Sequence, residues 1–186
     1  NALLQRLPEA KGLIAVERAG ELRLPASAES LVAQWPHGEE SGMTWGQQIG
    51  IALSKKPSCI ALDEVRADEP EAIAPLLTQA DAPRQIWAFR GPSVTKRLRS
   101  ALTMIAQRAA PADTGVVRAL YERLPFVINM KRAQGRLELR GIAEWQISPD
   151  GDYADYVMLF EKGWETLEYT GKRPLHPLNL PSNFWQ

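Results

Sequence analysis

Cys59-Ile60-Ala61-Leu62-Asp63-Glu64 is the stretch on which the fold turns. Four apolar residues in an unbroken run, closed by two acids, read as a short strand buried on both faces. Upstream, Gly12-Leu13-Ile14-Ala15-Val16-Glu17 repeats the pattern, and downstream Gln85-Ile86-Trp87-Ala88-Phe89 reads as a third strand. Helical patterns lie between and around them. Leu3, Leu4 and Leu7 suit the last turns of a helix ended by Pro8. Thr44 to Leu53 places Trp45, Ile49, Ala52 and Leu53 at helical spacing, with Thr44 as N-cap and Lys55-Lys56-Pro57 closing it. Glu69 to Gln79 reads as a helix with Pro70 in its first turn. Ser93 to Gln107 carries Val94, Leu98, Leu102 and Ile105 as one stripe.

Short apolar strands alternating with helices predict an α/β fold, a parallel sheet flanked by helices. After residue 110 the pattern changes. Gly115–Leu124 reads as a short helix. Phe126–Lys131 and Leu137–Trp145 read as an antiparallel hairpin turning at Ala133–Arg136, and Asp155–Glu161 and Trp164–Glu168 as a further strand pair. The predicted division is a parallel-sheet α/β core at 1–110, a helix and hairpin completing the sheet at 111–146, and an extension with a proline-rich tail at 147–186. Residues 26–42 are polar and read as a loop.

Composition narrows the function. With 186 residues, 45% hydrophobic and of zero formal net charge, the chain is not disordered as a whole. One cysteine excludes a disulfide scaffold, and two histidines exclude a three-histidine metal centre within the chain. No apolar run approaches the ~18–20 residues of a membrane span. The opening Asn1, with no signal-peptide pattern behind it, reads as a cut end.

An apolar strand ending in Asp63-Glu64 has the Walker B pattern. At the C-terminal edge of a parallel sheet such acids face the ligand crevice, where Asp63 would hold Mg²⁺ and Glu64 would orient or deprotonate the attacking water. The competing reading is a strand ending in two solvated acids. The partner motif GxxxxGK[ST] does not occur in residues 1–186. Glu17 and Glu21 follow the first strand and would share that edge, with Arg18, Arg66 and Arg90 as compensating charge; surface salt bridges explain any single pair equally. His37 and His176 read as loop residues and Cys59 as a small core hydrophobe. Trp45, Trp87, Trp145 and Trp164 read as core or interface, Trp35 and Trp185 as exposed. Lys96, Arg97 and Arg99 read as the charged face of their helix rather than a nucleic-acid surface, since net charge is zero and no aromatics are interleaved. Residues 84–108 carry six Lys or Arg and no acid, whereas 60–83 are acid-rich, which suits a subunit packing against copies of itself.

The order Asn1-Ala-Leu-Leu, Leu13-Ile-Ala-Val-Glu17 with Glu21-Leu22, and Pro57-Ser-Cys-Ile-Ala-Leu-Asp-Glu64-Val-Arg66 resembles the secretion-superfamily traffic ATPases of type II and type IV secretion, conjugation and type IV pili. The resemblance covers roughly residues 1–146 and is strongest over 13–66. It implies a RecA-like core, and Glu17 and Glu21 as the acidic pair of the Asp box. It further implies Glu64 as the catalytic Walker B glutamate, with Arg66 and Arg90 near the nucleotide. ATP and Mg²⁺ are implied only if a P-loop is supplied. Also implied are assembly as a homo-oligomer or with other subunits of a secretion-type assembly, and a cytoplasmic location, peripheral at the inner membrane. Arg18 departs from the pattern, standing for the Asp-box aspartate, and Arg90 falls where the His-box histidine belongs. Two readings follow: part of a motor coupling ATP hydrolysis to secretion, conjugation or pilus assembly, or a degenerate, catalytically inactive scaffold that holds no triphosphate tightly.

Overall fold

The computed structural model describes residues 2–6, 12–38, 41–91, 95–148, 154–178, 180–181 and 184. Contacts divide the chain into two units, residues 1–117 and 118–186.

The first unit is built on a four-stranded, all-parallel sheet. Its order is β2 (Glu29–Val32), β1 (Leu13–Glu17), β3 (Cys59–Val65) and β4 (Arg84–Phe89). Central β1 is buried at every position, as is β3 over its apolar run, which is why both read as unbroken hydrophobic stretches. Leu13, Ala15, Cys59 and Ala61 form one core cluster with Leu4 of α1 (Ala2–Gln5), backed by Leu22, Leu24, Ala28 and Ile86. One face is therefore covered by a short helix and a loop, not by a long helix. Helix α2 (Trp45–Ser54) packs on β1 and β2. A 3-10 turn (Pro70–Ile73) continues into α3 (Ala74–Thr78), and α4 (Thr95–Ala109) packs on both.

Local chemistry explains the start of α2. Thr44 Oγ1 accepts from Gln47 N at 3.1 Å and the Gln47 side chain accepts from Thr44 N at 2.8 Å, a reciprocal capping box. Glycine is required at Gly12, with φ +79° and the space of its missing Cβ only 3.0 Å from Ser58 Oγ; Ser58 N–H donates to its carbonyl at 2.9 Å.

The loop expected over residues 26–42 contains β2. It is an edge strand whose outer residues Glu29 and Ser30 are exposed, so its composition is that of a loop. Four interactions hold it in the sheet besides the ladder: Ala33 N to Glu17 O at 2.8 Å, Ser30 Oγ to Glu17 Oε1 at 2.6 Å, Gln48 Nε2 to Val32 O at 2.7 Å, and an ion pair from Lys55 to Glu29. The helix predicted over 93–107 runs from Thr95 to Ala109; Val94, Pro8 and Trp185 lie outside the described residues.

α5 (Val116–Arg123) carries the boundary between the units. The second unit is an antiparallel sheet in sequence order, β5 (Phe126–Ala133), β6 (Arg136–Ile147), β7 (Ala154–Lys162) and β8 (Leu167–Tyr169). Gln134 and Gly135, both at positive φ (47° and 79°), make the two-residue turn between β5 and β6 that strand twist favours. The hairpin was expected to complete the parallel sheet. It instead pairs through β6 with β7, so the strands after 147 belong to the same sheet as the hairpin. The expected boundaries at 110 and 146 give way to one near 117. Trp145 is the centre of this unit, 4.9 Å from Tyr121 and 4.8 Å from its cross-strand partner Tyr156. Trp164, expected in a core or interface, is 93% exposed. The tail is pinned by Glu144, fully buried, which accepts from Leu175 N, His176 N and His176 Nδ1, each at 2.8 Å.

Candidate functional site

The parallel sheet brings the C-terminal ends of β1 and β3 side by side, which is where ligands bind in open α/β sheets. β3 gains one residue there. It advances from Leu62 to Val65 while β4 advances only from Trp87 to Phe89, and the resulting bulge holds Asp63 and Glu64. β1 ends at Glu17, and Arg18 turns away toward Gly20, whose φ of +69° the turn requires.

Arg18 is the hub. Its backbone N–H donates to Asp63 Oδ2 at 2.6 Å, and its Nε–H donates to the Glu64 carbonyl at 3.1 Å. Its Nη1 stands 2.9 Å from Glu69 Oε2, an ion pair without hydrogen-bond alignment, since that oxygen has no hydrogen-bond partner. The guanidinium lies over the Trp45 ring, its Cζ 4.4 Å from the centroid. The Arg18 side chain is only 16% exposed.

The predicted acids take separate places. Glu17 is buried, and both its oxygens are engaged within the chain: Oε2 accepts from Leu22 N at 2.7 Å and Oε1 from Ser30 Oγ at 2.6 Å. It fastens the loop after β1 and the edge strand β2. Burial pushes the Asp63 carboxyl up from its ordinary range, opposed by the Arg18 N–H and reinforced by the charge of Glu17. Glu64 is paired with Arg66 Nη2 at 2.9 Å, which holds its carboxyl below the usual range; Arg90, exposed, adds to that at longer reach. Glu21 is exposed, and among the described residues no hydrogen bond or ion pair joins it to the network. The edge therefore unites Glu17, Asp63, Glu64 and Arg66 around Arg18, with Arg90 near and Glu21 apart. Sequence reading missed Trp45 and Glu69 as members. The signals were present: an aromatic just inside the α2 cap, and an acid just before Pro70.

The arrangement does not fit a divalent ion. Mg²⁺ takes about six oxygens in near-octahedral geometry. Here the Glu17 oxygens are used, Asp63 Oδ2 is used, Glu64 Oε2 faces Arg66, and Asp63 Oδ1 is the buried oxygen of these acids left without a hydrogen bond. Among the described residues no group of three or more His, Cys, Asp or Glu could hold a metal. Cys59 is buried within β3, with its thiol pushed up by burial.

No family model matches the chain, and no curated protein matches it either. Among solved structures, the VirB11 ATPase from the Brucella suis type IV secretion system, in complex with sulphate, is similar. The likeness has a TM-score of 0.56 at 18% identity and covers 77% of this chain and 44% of that one. The chain thus spans less than half the length of that ATPase. No helix among the described residues is long and apolar enough to cross a membrane. At this identity the likeness is one of fold alone, consistent with the α/β architecture of the parallel sheet and its helices.

Proposed function

We propose that this chain is the secretion-ATPase-like part of a multisubunit assembly, of the type IV secretion, conjugation or pilus class, and serves there as a structural subunit rather than as the hydrolysing motor. The fold likeness supports the assembly class. The observation that carries the non-hydrolysing role is the state of the edge: both oxygens of buried Glu17 and one oxygen of half-buried Asp63 are engaged by the chain's own N–H and hydroxyl groups, and Glu69 is paired with the Arg18 guanidinium. Its partners would be further copies of itself or other subunits, at the cytoplasmic side of the inner membrane.

A second reading, the ATP-hydrolysing motor, is favoured by Glu64, half-buried and ionised at the bulge with Arg66 beside it. ATP and Mg²⁺ belong to that reading and would require a phosphate-binding loop. The test is ATP turnover by the full-length protein and by its Glu64→Gln variant, with light scattering for assembly size. The structural role expects equal, background turnover in both and a mass above the monomer or a co-purifying partner. Turnover that Glu64→Gln abolishes would establish the motor instead.

A further inference from the structure

We infer that Arg18 is the resident cation of the sheet edge, standing where a divalent ion would otherwise gather the acids. Its main-chain N–H takes Asp63, its Nε–H takes the Glu64 carbonyl, and its Nη1 takes Glu69. One of these contacts comes from the main chain and two from the guanidinium, and together they tie the end of β1 to β3 and to the loop before the 3-10 turn. The head group is held in place from below by Trp45. A guanidinium so fixed supplies permanent positive charge in a half-buried position, where a second cation would meet repulsion with little water to screen it.

The orphaned atoms agree. Arg18 Nη2 and Asp63 Oδ1 are both buried without hydrogen-bond partners, so a donor and an acceptor are left unmatched at this edge. Removing the guanidinium would take away the positive charge paired with Glu69 and bonded to the Glu64 carbonyl, and would leave the acids of the edge without a fixed cation, while the main-chain N–H to Asp63 would remain. A covalently attached cation differs from Mg²⁺ in one practical way: it cannot be chelated, so this edge keeps its geometry whatever the metal supply.

The probe is Mn²⁺ without nucleotide, followed by electron paramagnetic resonance on the parent, Arg18→Ala, and Arg18→Ala with Asp63→Asn. The parent should bind no Mn²⁺ below about 1 mM, a weak-site affinity. Arg18→Ala should gain binding at least about tenfold tighter, and the added Asp63→Asn should remove the gain. Circular dichroism checks folding; should Arg18→Ala fail to fold, Arg18→Gln carries the same measurement. An Mn²⁺ site in the parent that Asp63→Asn abolishes would overturn the inference, and so would a folded Arg18 variant that gains none. Neither outcome depends on ATP turnover, so this test and that of the assembly role fail separately.

Discussion

The guanidinium of Arg18 stacks on the indole of Trp45, with Cζ 4.4 Å from the ring centroid, so the first residue of α2 is the platform for the first residue beyond β1. Trp45 is 2% exposed and thus also a core side chain. Trp45→Ala should destabilise the first unit by about 3–5 kcal/mol, combining lost burial with a cavity. Trp45→Phe keeps a smaller π face and should cost about 1–2 kcal/mol. Urea denaturation of both variants measures the difference; equal costs would mean the ring face contributes nothing to holding Arg18.

Glu17 should behave as a fastener. Glu17→Gln retains one carbonyl acceptor, and the Ser30 hydroxyl can rotate to accept from the new amide, so a loss of about 1 kcal/mol is expected. Glu17→Ala strands the Leu22 N–H and the Ser30 hydroxyl and should cost about 2–4 kcal/mol. Amide exchange at Leu22 should speed up in the alanine variant first. If Gln and Ala cost the same, the charge rather than the hydrogen bonds is what matters.

Asp63 has its carboxyl raised by burial, so its ionised form opposes folding. The sign follows from linkage: with the folded value above the unfolded one, the cost is fully present at pH above the folded value and disappears as pH falls through it to the unfolded range near about 3.9. Asp63→Asn keeps an acceptor for the Arg18 N–H and sheds that cost. It should equal or exceed the parent in stability at pH 7, with the gap closing by about pH 4. A variant less stable at pH 7 by more than about 1 kcal/mol would show the Arg18 attraction to dominate.

Glu144 runs the opposite way. Burial alone would raise its carboxyl, but the N–H groups of His176 and Leu175 and the Gln146 amide outweigh that and lower it. Its stabilisation is therefore complete above the ordinary glutamate range and is lost as pH falls through the depressed folded value. Glu144→Ala should cost the second unit about 2–4 kcal/mol and free residues 170–178. Trypsin cleavage after Lys172 reports the release. It should be slow in the parent at pH 7 and fast in the variant; unchanged cleavage would show that other contacts hold the tail.

Much of the architecture is visible in the residues alone, because β1 and β3 are buried on both faces and so lose all polar alternation. The same holds for α2, whose Thr44 and Gln47 cap it by purely local bonds. β2 was hidden for the converse reason. Glu29 and Ser30 face solvent, and what keeps that strand in place comes from Glu17, Gln48 and Lys55, each remote in sequence. Strand pairing after 126 was legible as a hairpin but not as a separate sheet, since which edge a hairpin joins is a tertiary matter. At the site, the acids and arginines were identifiable by position along the strands. The direction of each was not: the bulge at Asp63-Glu64 and the stacking of Arg18 on Trp45 depend on register and packing that no single segment encodes.

The anchoring of Glu144 also sets an order of events. Its backbone partners follow it by 31 and 32 residues, so during synthesis β6 emerges well before Leu175 and His176 exist. Until they arrive, the carboxylate at the centre of that sheet has only Gln146 beside it, and burying it would be strongly unfavourable. The second unit can close only when the segment through His176 has been made. A nascent chain stalled short of that point would hold a charged, unfinished sheet open to solvent, a state that chaperones and proteases can read.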